Sequence, residues 1–240
     1  MKLELSERIR KCAQMITEGS RLADVGTDHA YLPVYLVSEG KIPCALAMDI
    51  NEGPLARARE HIAAFGLEDK IAARQSDGLH ELRAGEADSV SVCGMGGALT
   101  IRILEEGLQV LESVSELVLQ PQSELFRVRR WLCENGFAID NEEMVLEDGK
   151  YYPIIHCVHL PAGKKQQLTD AEIYYGPVLL RKKHPVLRQF LRFEQEVQTK
   201  ILEQLAHAGA QAALQRKEEV RAVLRRNREA LVIMGEEAAE

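Results

Sequence analysis

A rhythm in the sequence most constrains what this chain can become. Over residues 5–160, short apolar runs alternate with segments of helical spacing, and nearly every apolar run stops at a glycine or an aspartate. Leu5, Ile9, Cys12-Ala13 and Ile16 share one helical face, and Gly19-Ser20 ends that segment. Leu22-Ala23-Asp24-Val25 is a strand running into Gly26, followed by a helix over residues 32–37 with Pro33 near its start. A second strand over 44–48 ends at Asp49, and a helix over 54–65 has proline in its first turn and Gly66 just past its end. Strands over 71–74 and 89–93 run into Asp77-Gly78 and Gly94-Met95-Gly96-Gly97. A helix over 99–111, a strand over 117–119 closed by Gln120-Pro121-Gln122, and a capped helix over 123–135 follow. Two further strands, 137–146 and 151–160, flank Asp148-Gly149, a hairpin signal that makes this last pair antiparallel.

Strands alternating with helices predict an α/β fold with a doubly wound, Rossmann-like parallel sheet. A terminal antiparallel pair separates the class I methyltransferase variant from a plain dinucleotide fold. Hydrophobic residues make up 46% of the 240, enough for a sizeable core. No apolar run approaches the roughly 20 residues of a membrane span, and the N-terminus, with acidic residues and no apolar stretch, does not read as a secretory signal. The five cysteines are an odd number without a C-x-x-C pair, which argues against a disulfide framework or a zinc site and fits a reducing, cytoplasmic setting.

The character changes at Pro161. A polar connector, Ala162-Gly163-Lys164-Lys165-Gln166-Gln167, leads to apolar residues at helical spacing: Phe190, Val197, Ile201, Leu205, then Leu214, Val220, Leu224 and Leu231. These predict a helical hairpin of coiled-coil character, broken near Ala208-Gly209-Ala210, so that residues 1–161 and 162–240 form two domains. Charge divides similarly. Residues 1–160 carry 16 Lys and Arg against 26 Asp and Glu, net −10, whereas residues 161–235 carry 14 against 8, net +6. An acidic domain with a basic appendage suggests two tasks, although helices rich in Lys and Arg would give the same numbers.

In such sheets ligands sit beyond the carboxyl ends of the strands. S-adenosylmethionine offers an ammonium, a carboxylate, a ribose diol, an adenine and a sulfonium, and the strand ends carry suitable partners. Asp24 and Gly26 stand at the first turn, where a glycine admits close backbone approach. Asp49, with Ile50 beside it, ends the second strand 23 residues after Gly26, the place of the acidic residue that takes ribose hydroxyls. An N-cap for the following helix is its alternative. Asp77 and Gly78 end the third strand, where an aspartate accepts from the adenine amino group or merely makes a turn. At the fourth, Gly94, Met95, Gly96 and Gly97 lack large polar groups and suit a flat base, or form a flexible loop. Cys93 lacks the Pro-Cys context of a cytosine C5 nucleophile, and Asp28-His29 has no third ligand to make a metal site.

Asp24-Val25-Gly26-Thr27-Asp28-His29-Ala30-Tyr31-Leu32-Pro33, with Cys93-Gly94-Met95-Gly96-Gly97 and Gln120-Pro121-Gln122, resembles the bacterial tRNA (adenine-22-N1)-methyltransferase family. The turn departs from the general Gly-x-Gly-x-Gly loop at Asp28 and Ala30, and the Asn/Asp-Pro-Pro-aromatic motif of amino-group methyltransferases is absent, which fits a ring nitrogen as target. The resemblance implies S-adenosylmethionine as donor, tRNA as substrate, position 22 as target, and a helical C-terminal domain that helps hold RNA. On that reading Asp28 stabilises the cationic product, Tyr31 stacks on the extruded base, Met95 borders the acceptor pocket, and His29 orients Asp28 or touches phosphate or is simply packed. Arg8, Arg10 and Lys11 on the first helix, and Lys164, Lys165, Lys182 and Lys183, are candidate RNA contacts. A methyltransferase of a protein or small metabolite, and a non-enzymatic nucleotide-binding regulator, remain the competing readings.

Overall fold

The computed structural model describes residues 3–205 and 211–236. The expected break at 208–210 lies outside these. The chain divides into two compact units, Met1–Gln166 and Gln167–Glu240. The connector as far as Gln166 stays with the first unit because the Gln166 side chain clips onto Ile139, accepting from its N–H at 2.8 Å and donating to its carbonyl at 3.2 Å.

The first unit runs α1 (Glu7–Met15), β1 (Leu22–Val25), α2 (Tyr31–Ser38), β2 (Ala45–Asp49), α3 (Glu52–Ala64), β3 (Ile71–Gln75), β4 (Ser89–Cys93), α4 (Gly97–Glu106), α5 (Leu108–Leu111), β5 (Glu116–Gln120), α6 (Leu125–Glu134), β6 (Phe137–Glu147) and β7 (Lys150–His159). One seven-stranded sheet takes the order β3-β2-β1-β4-β5-β7-β6. β1 to β5 are parallel, and β7 runs antiparallel to both β5 and β6. β1 lies between β2 and β4, so the winding reverses beside it and opens a crevice at the carboxyl ends of β1 and β4. β1 and β5 are buried at every position, which is why they read as apolar runs. Cys12 of α1, Ile16 at its C-cap, Leu36 of α2, and Ala58 and Ile62 of α3 pack with Leu22, Ala47 and Ile71 of the strands in one core.

Two expected helices differ. The segment over 123–135 begins at Leu125, with Glu124 left-handed (φ 49°) and no side-chain cap. The Ser123 hydroxyl instead accepts from Gly97 N–H at 3.1 Å, serving the start of α4. The helix expected over 99–111 is two, α4 and α5, parted at Gly107, where a Cβ would come within 2.4 Å of Leu79.

Buried charges tie the sheet together. Arg129 of α6 meets Glu142 of β6 (Nε–Oε1 2.9 Å), both side chains within 1% of full burial. Removing either partner of such a pair typically costs about 3–5 kcal/mol. At the amino end of β5, Glu116 accepts from Thr17 N–H at 2.8 Å and contacts His156 Nε2 at 3.0 Å, while His156 Nδ1 meets Asp140 at 2.6 Å. Burial alone would raise the Glu116 carboxyl, but the His156 and Thr17 hydrogen bonds outweigh it and hold the pKa at about 2. Burial lowers His156 in turn, and its two carboxylate partners more than reverse that.

The second unit comprises α7 (Asp170–Tyr175), α8 (Pro177–Arg181), α9 (Pro185–Leu205) and α10 (Gln211–Ile233). Asn227 bonds the Leu191 carbonyl and Glu194, each at 2.9 Å, and Arg188 reaches Glu236 at 2.8 Å, so α9 and α10 run antiparallel. α7 and α8 were not anticipated. Their signals are local: a Thr169–Glu172 capping box, and Pro177 at the start of α8.

Candidate active site

The turn after β1 is built for close approach. Gly26 (φ 70°) and Thr27 both donate N–H groups to the Met48 carbonyl, at 2.8 and 2.9 Å, which fastens the turn to β2. The positive φ at Gly26 favours glycine, and a Cβ there would stand 1.9 Å from the methyl at the flexible end of Met95, which the β4–α4 loop lays over this turn. β2 ends in Asp49, whose carboxylate accepts from Asn51 N–H at 2.8 Å. The N-cap position of α3 itself falls to Asn51. After β4, Gly94 (φ 81°) donates to the Gln120 carbonyl at 3.0 Å, and Gln122 N–H donates to the Met95 carbonyl at 2.8 Å. The ends of β4 and β5 are thereby laced together.

α1 brings a cation to these strand ends. Its amino end is fixed by the Ser6 hydroxyl, which accepts from Ile9 N–H, and by Glu147, which accepts from Glu7 N–H at 2.7 Å. Arg8 Nη1 then donates to Gln120 Oε1 at 2.8 Å, and its guanidinium lies over the Tyr152 ring at 5.4 Å.

These elements enclose a cleft of about 360 Å³. Its charged lining is Arg8, Asp24, Asp28 and Asp49, and the rest is Ile9, Gly26, Tyr31, Leu32, Cys93, Gly94, Met95 and Gln122. Asp24 is 6% exposed and accepts from the Ser91 hydroxyl at 2.6 Å. Burial pushes its pKa up to about 6, with the nearby Asp28 and Asp49 charges adding and Ser91 opposing. The Cys93 thiol is held well above its ordinary value, first by a hydrogen bond with Cys12 and then by burial, so it stays protonated and inert as a nucleophile. His29 Nε2 stands 3.6 Å from Asp28 Oδ1. Among the described residues no group of three or more His, Cys, Asp or Glu side chains could hold a metal ion.

The cleft thus gathers Asp24, Gly26, Asp28, Tyr31, Asp49, Gly94 and Met95 from the residues singled out in the sequence. Arg8 joins them rather than facing outward with its neighbours, since Arg10 pairs with Glu7 and Lys11 with Glu143 at 3.3 Å. The lining does not include Ile50, Asp77, Gly78, His29, Gly96 or Gly97. Ile50 is 51% exposed next to Asp49, Asp77 meets Arg102 at 3.2 Å, Gly78 is left-handed (φ 57°), and Gly96 and Gly97 open α4. Lys164 and Lys165 are exposed in the first unit, and Lys182 and Lys183 in the second. Ile9, Leu32 and Gln122 were not foreseen as lining. The strand-closing Gln120-Pro121-Gln122 carried a signal for Gln122.

Within the second unit, Thr169, Ala171, Leu202, Leu224, Val232 and Ile233 form a largely apolar groove of about 820 Å³, with Arg221, Arg225, Arg228 and Glu229 also lining it. Arg221 pairs with Glu218 at 2.5 Å. Arg225 and Arg228 are exposed and have no acidic partner among the described residues. No helix among the described residues is long and apolar enough to cross a membrane.

A parallel sheet with this strand order, an antiparallel β6–β7 edge and a glycine-turned acidic cleft at β1, β2 and β4 define a class I, S-adenosylmethionine-dependent methyltransferase. The family model described as tRNA (adenine(22)-N(1))-methyltransferase matches residues 22–229, and the chain belongs to that family. The tRNA (adenine(22)-N(1))-methyltransferase of Bacillus subtilis strain 168 is 37% identical over 213 residues, 86% of this chain and 88% of the relative. The crystal structure of the B. subtilis m1A22 tRNA methyltransferase TrmK superposes with a TM-score of 0.86 at 33% identity, covering 96% of this chain and all of that one. M. capricolum TrmK in complex with S-adenosyl-homocysteine gives 0.82 at 29% identity, covering 96% and 99%.

Proposed function

We infer that this chain transfers the methyl group of S-adenosylmethionine to N1 of adenine 22 in tRNA. The observation that carries the reading is the charge pattern of the cleft: three carboxylates and one guanidinium. The donor is its complement, with an ammonium, a sulfonium and a single carboxylate. Asp24, buried and lacking a cation, suits the ammonium, and Arg8 suits the carboxylate. Asp49 faces the ribose diol. The exposed Ile50 gives the adenine an apolar face, and Asp77 and Gly78, after the neighbouring β3, suit its polar edge. Gly26 supplies room for the methionine backbone.

When bound, the donor supplies a methyl made electrophilic by its sulfonium. Adenine N1 has an in-plane lone pair and needs no base, so the chain must free N1 from pairing and hold it in line. Tyr31, 39% exposed on the cleft wall, offers a stacking face, and Gly94 and Met95 admit a flat base beside the β4 end. Asp28 accepts from the adenine amino group, which becomes a stronger donor as the ring turns cationic. His29 sits near enough to orient it. Arg225 and Arg228 of α10 supply free charge for the tRNA backbone.

The test of the reaction uses labelled donor with a tRNA transcript and with the same transcript lacking an adenine at position 22. Label is expected in 1-methyladenosine from the first alone. Label in another nucleoside, or none in RNA, overturns it.

Two donor predictions accompany this assignment. Arg8→Met keeps an apolar stem against Tyr152 and removes the charge. It should raise the donor Kd by roughly ten- to a hundredfold, the worth of a charge-assisted hydrogen bond. Calorimetry with an unchanged Kd would return Arg8 to a role outside the donor site. Affinity should also depend on pH. Asp24 titrates near pH 6 without the donor, and a bound ammonium favours its ionised form. Donor binding should therefore weaken as pH falls from 7 to 5 and take up no further strength above about 7.5. An affinity flat across that window in wild type would separate Asp24 from the ammonium.

A further inference from the structure

Two consecutive non-glycine residues, His29 (φ 51°) and Ala30 (φ 54°), are left-handed in the turn from β1 into α2. A pair of this kind is strained and persists where its surroundings fix it. Backbone bonds from Tyr31 N–H to the Asp28 carbonyl and from Val34 N–H to the Ala30 carbonyl hold it, and a side chain of α3 reaches it as well. His61 Nδ1 lies 2.7 Å from the His29 carbonyl; the carbonyl can only accept, so the ring proton in this contact is on Nδ1. The same imidazole meets Tyr31 edge to face, with centroids 5.0 Å apart at 66°, and Phe65 stands against it at 5.1 Å. His29 stacks on Tyr31 at 5.5 Å and 23°. Tyr31 is the one ring of this cluster in the cleft lining.

We propose that His61 is a positioning residue for the acceptor base: one imidazole holds the strained His29–Ala30 turn through Nδ1 and sets the Tyr31 ring as the platform for the extruded adenine. The inference rests on the reading of Tyr31 as that platform. His61 itself is not in the cleft lining and acts through Tyr31 and the turn. A histidine meets both demands, since an asparagine offers only the donor and a phenylalanine only the ring. The turn also carries Asp28, so a loosened turn misplaces the acceptor-side carboxylate together with the platform.

The experiment measures single-turnover methyl transfer by the full-length chain at saturating donor and tRNA, with donor Kd by calorimetry and melting alongside. His61→Ala should slow transfer by about ten- to a hundredfold, the cost of a reactant misplaced by about an ångström. Donor Kd and KM for tRNA should stay within about twofold, because phosphate contacts dominate tRNA affinity. His61→Asn should recover part of the loss. If His61→Ala melts early, His61→Phe, which keeps the ring and loses the donor, should be slow while folded. Tyr31→Ala should slow transfer by itself, and adding His61→Ala to it should cost much less than His61→Ala costs the wild type. A wild-type rate for His61→Ala beside a slow Tyr31→Ala overturns this inference alone. So does a double variant in which the two losses multiply, or a donor Kd that rises in step with the lost rate. A wild-type rate for Tyr31→Ala overturns the platform reading itself, and this inference with it.

Discussion

Replacing Asp28 by alanine should slow single-turnover methyl transfer by about two to three orders of magnitude, with donor affinity changed far less. The expectation follows from where the carboxylate stands. Asp28 lines the cleft with Gly94 and Met95, yet its side chain is 86% exposed, which suits the acceptor-side place proposed for it. Asp24, by contrast, is closed off beneath the same cleft and bonded to Ser91. Positive charge passes from the sulfonium to the adenine ring during transfer. A carboxylate on the acceptor side therefore gains strength as the reaction proceeds, while one beneath the donor does not. The fold should tolerate the change, because the local bond that Asp28 contributes to the turn is its backbone carbonyl, which accepts from Tyr31 N–H at 3.1 Å and survives in alanine. Asp28→Asn separates charge from hydrogen bonding. It retains an acceptor without the charge and should fall between alanine and wild type. Rapid-quench measurement at saturating donor decides the matter, and near wild-type transfer by Asp28→Ala would leave Asp28 without a part in the chemistry.

The sheet is legible in the sequence because its central strands β1, β4 and β5 are buried almost throughout and the strand-end turns carry glycine or aspartate, so local composition reports the fold directly. The cleft residues Asp24, Gly26 and Asp49 are legible for the same reason: they sit at strand ends, where the topology collects ligands. What stayed hidden depends on partners distant in the chain. Arg8 reads in the sequence as a candidate RNA contact, and its place in the cleft comes from Gln120, 112 residues away, and from Tyr152. Ser123 read as a helix cap and instead accepts from Gly97, 26 residues back. The hold of His61 on His29 spans 32 residues, and no spacing rule connects them. α7 is different: its signal, the Thr169–Glu172 capping box, is local but lies directly behind a polar connector.

Charge in the second unit has the other large expected effect. Changing Arg221, Arg225 and Arg228 together to serine should weaken tRNA binding by about two to three orders of magnitude at low salt and flatten the dependence of log Kd on log salt by about three. The three lie on one face of α10, at spacings of four and three residues. Arg225 and Arg228 are exposed without an acidic partner among the described residues, and Arg221 has only an exposed pairing with Glu218, worth little in water. Arg226, one position away, is a control. Its guanidinium lies 3.8 Å over the Tyr174 ring and faces Asp170, so Arg226→Ser should cost stability and leave the salt slope alone. The first unit is acidic, with residues 1–160 at net −10, and a polyanion approaching it needs compensating charge elsewhere on the chain. The competing view makes the groove beside these arginines, lined by Leu224, Val232 and Ile233, a surface for another protein. The views separate cleanly, since protein docking on apolar side chains is insensitive to salt whereas phosphate contacts are not. Donor Kd serves as the internal standard: every cleft residue lies in the first unit, so it should stay at the wild-type value. A triple variant that binds tRNA with wild-type affinity and slope would remove α10 from the RNA surface and leave the groove to a protein partner.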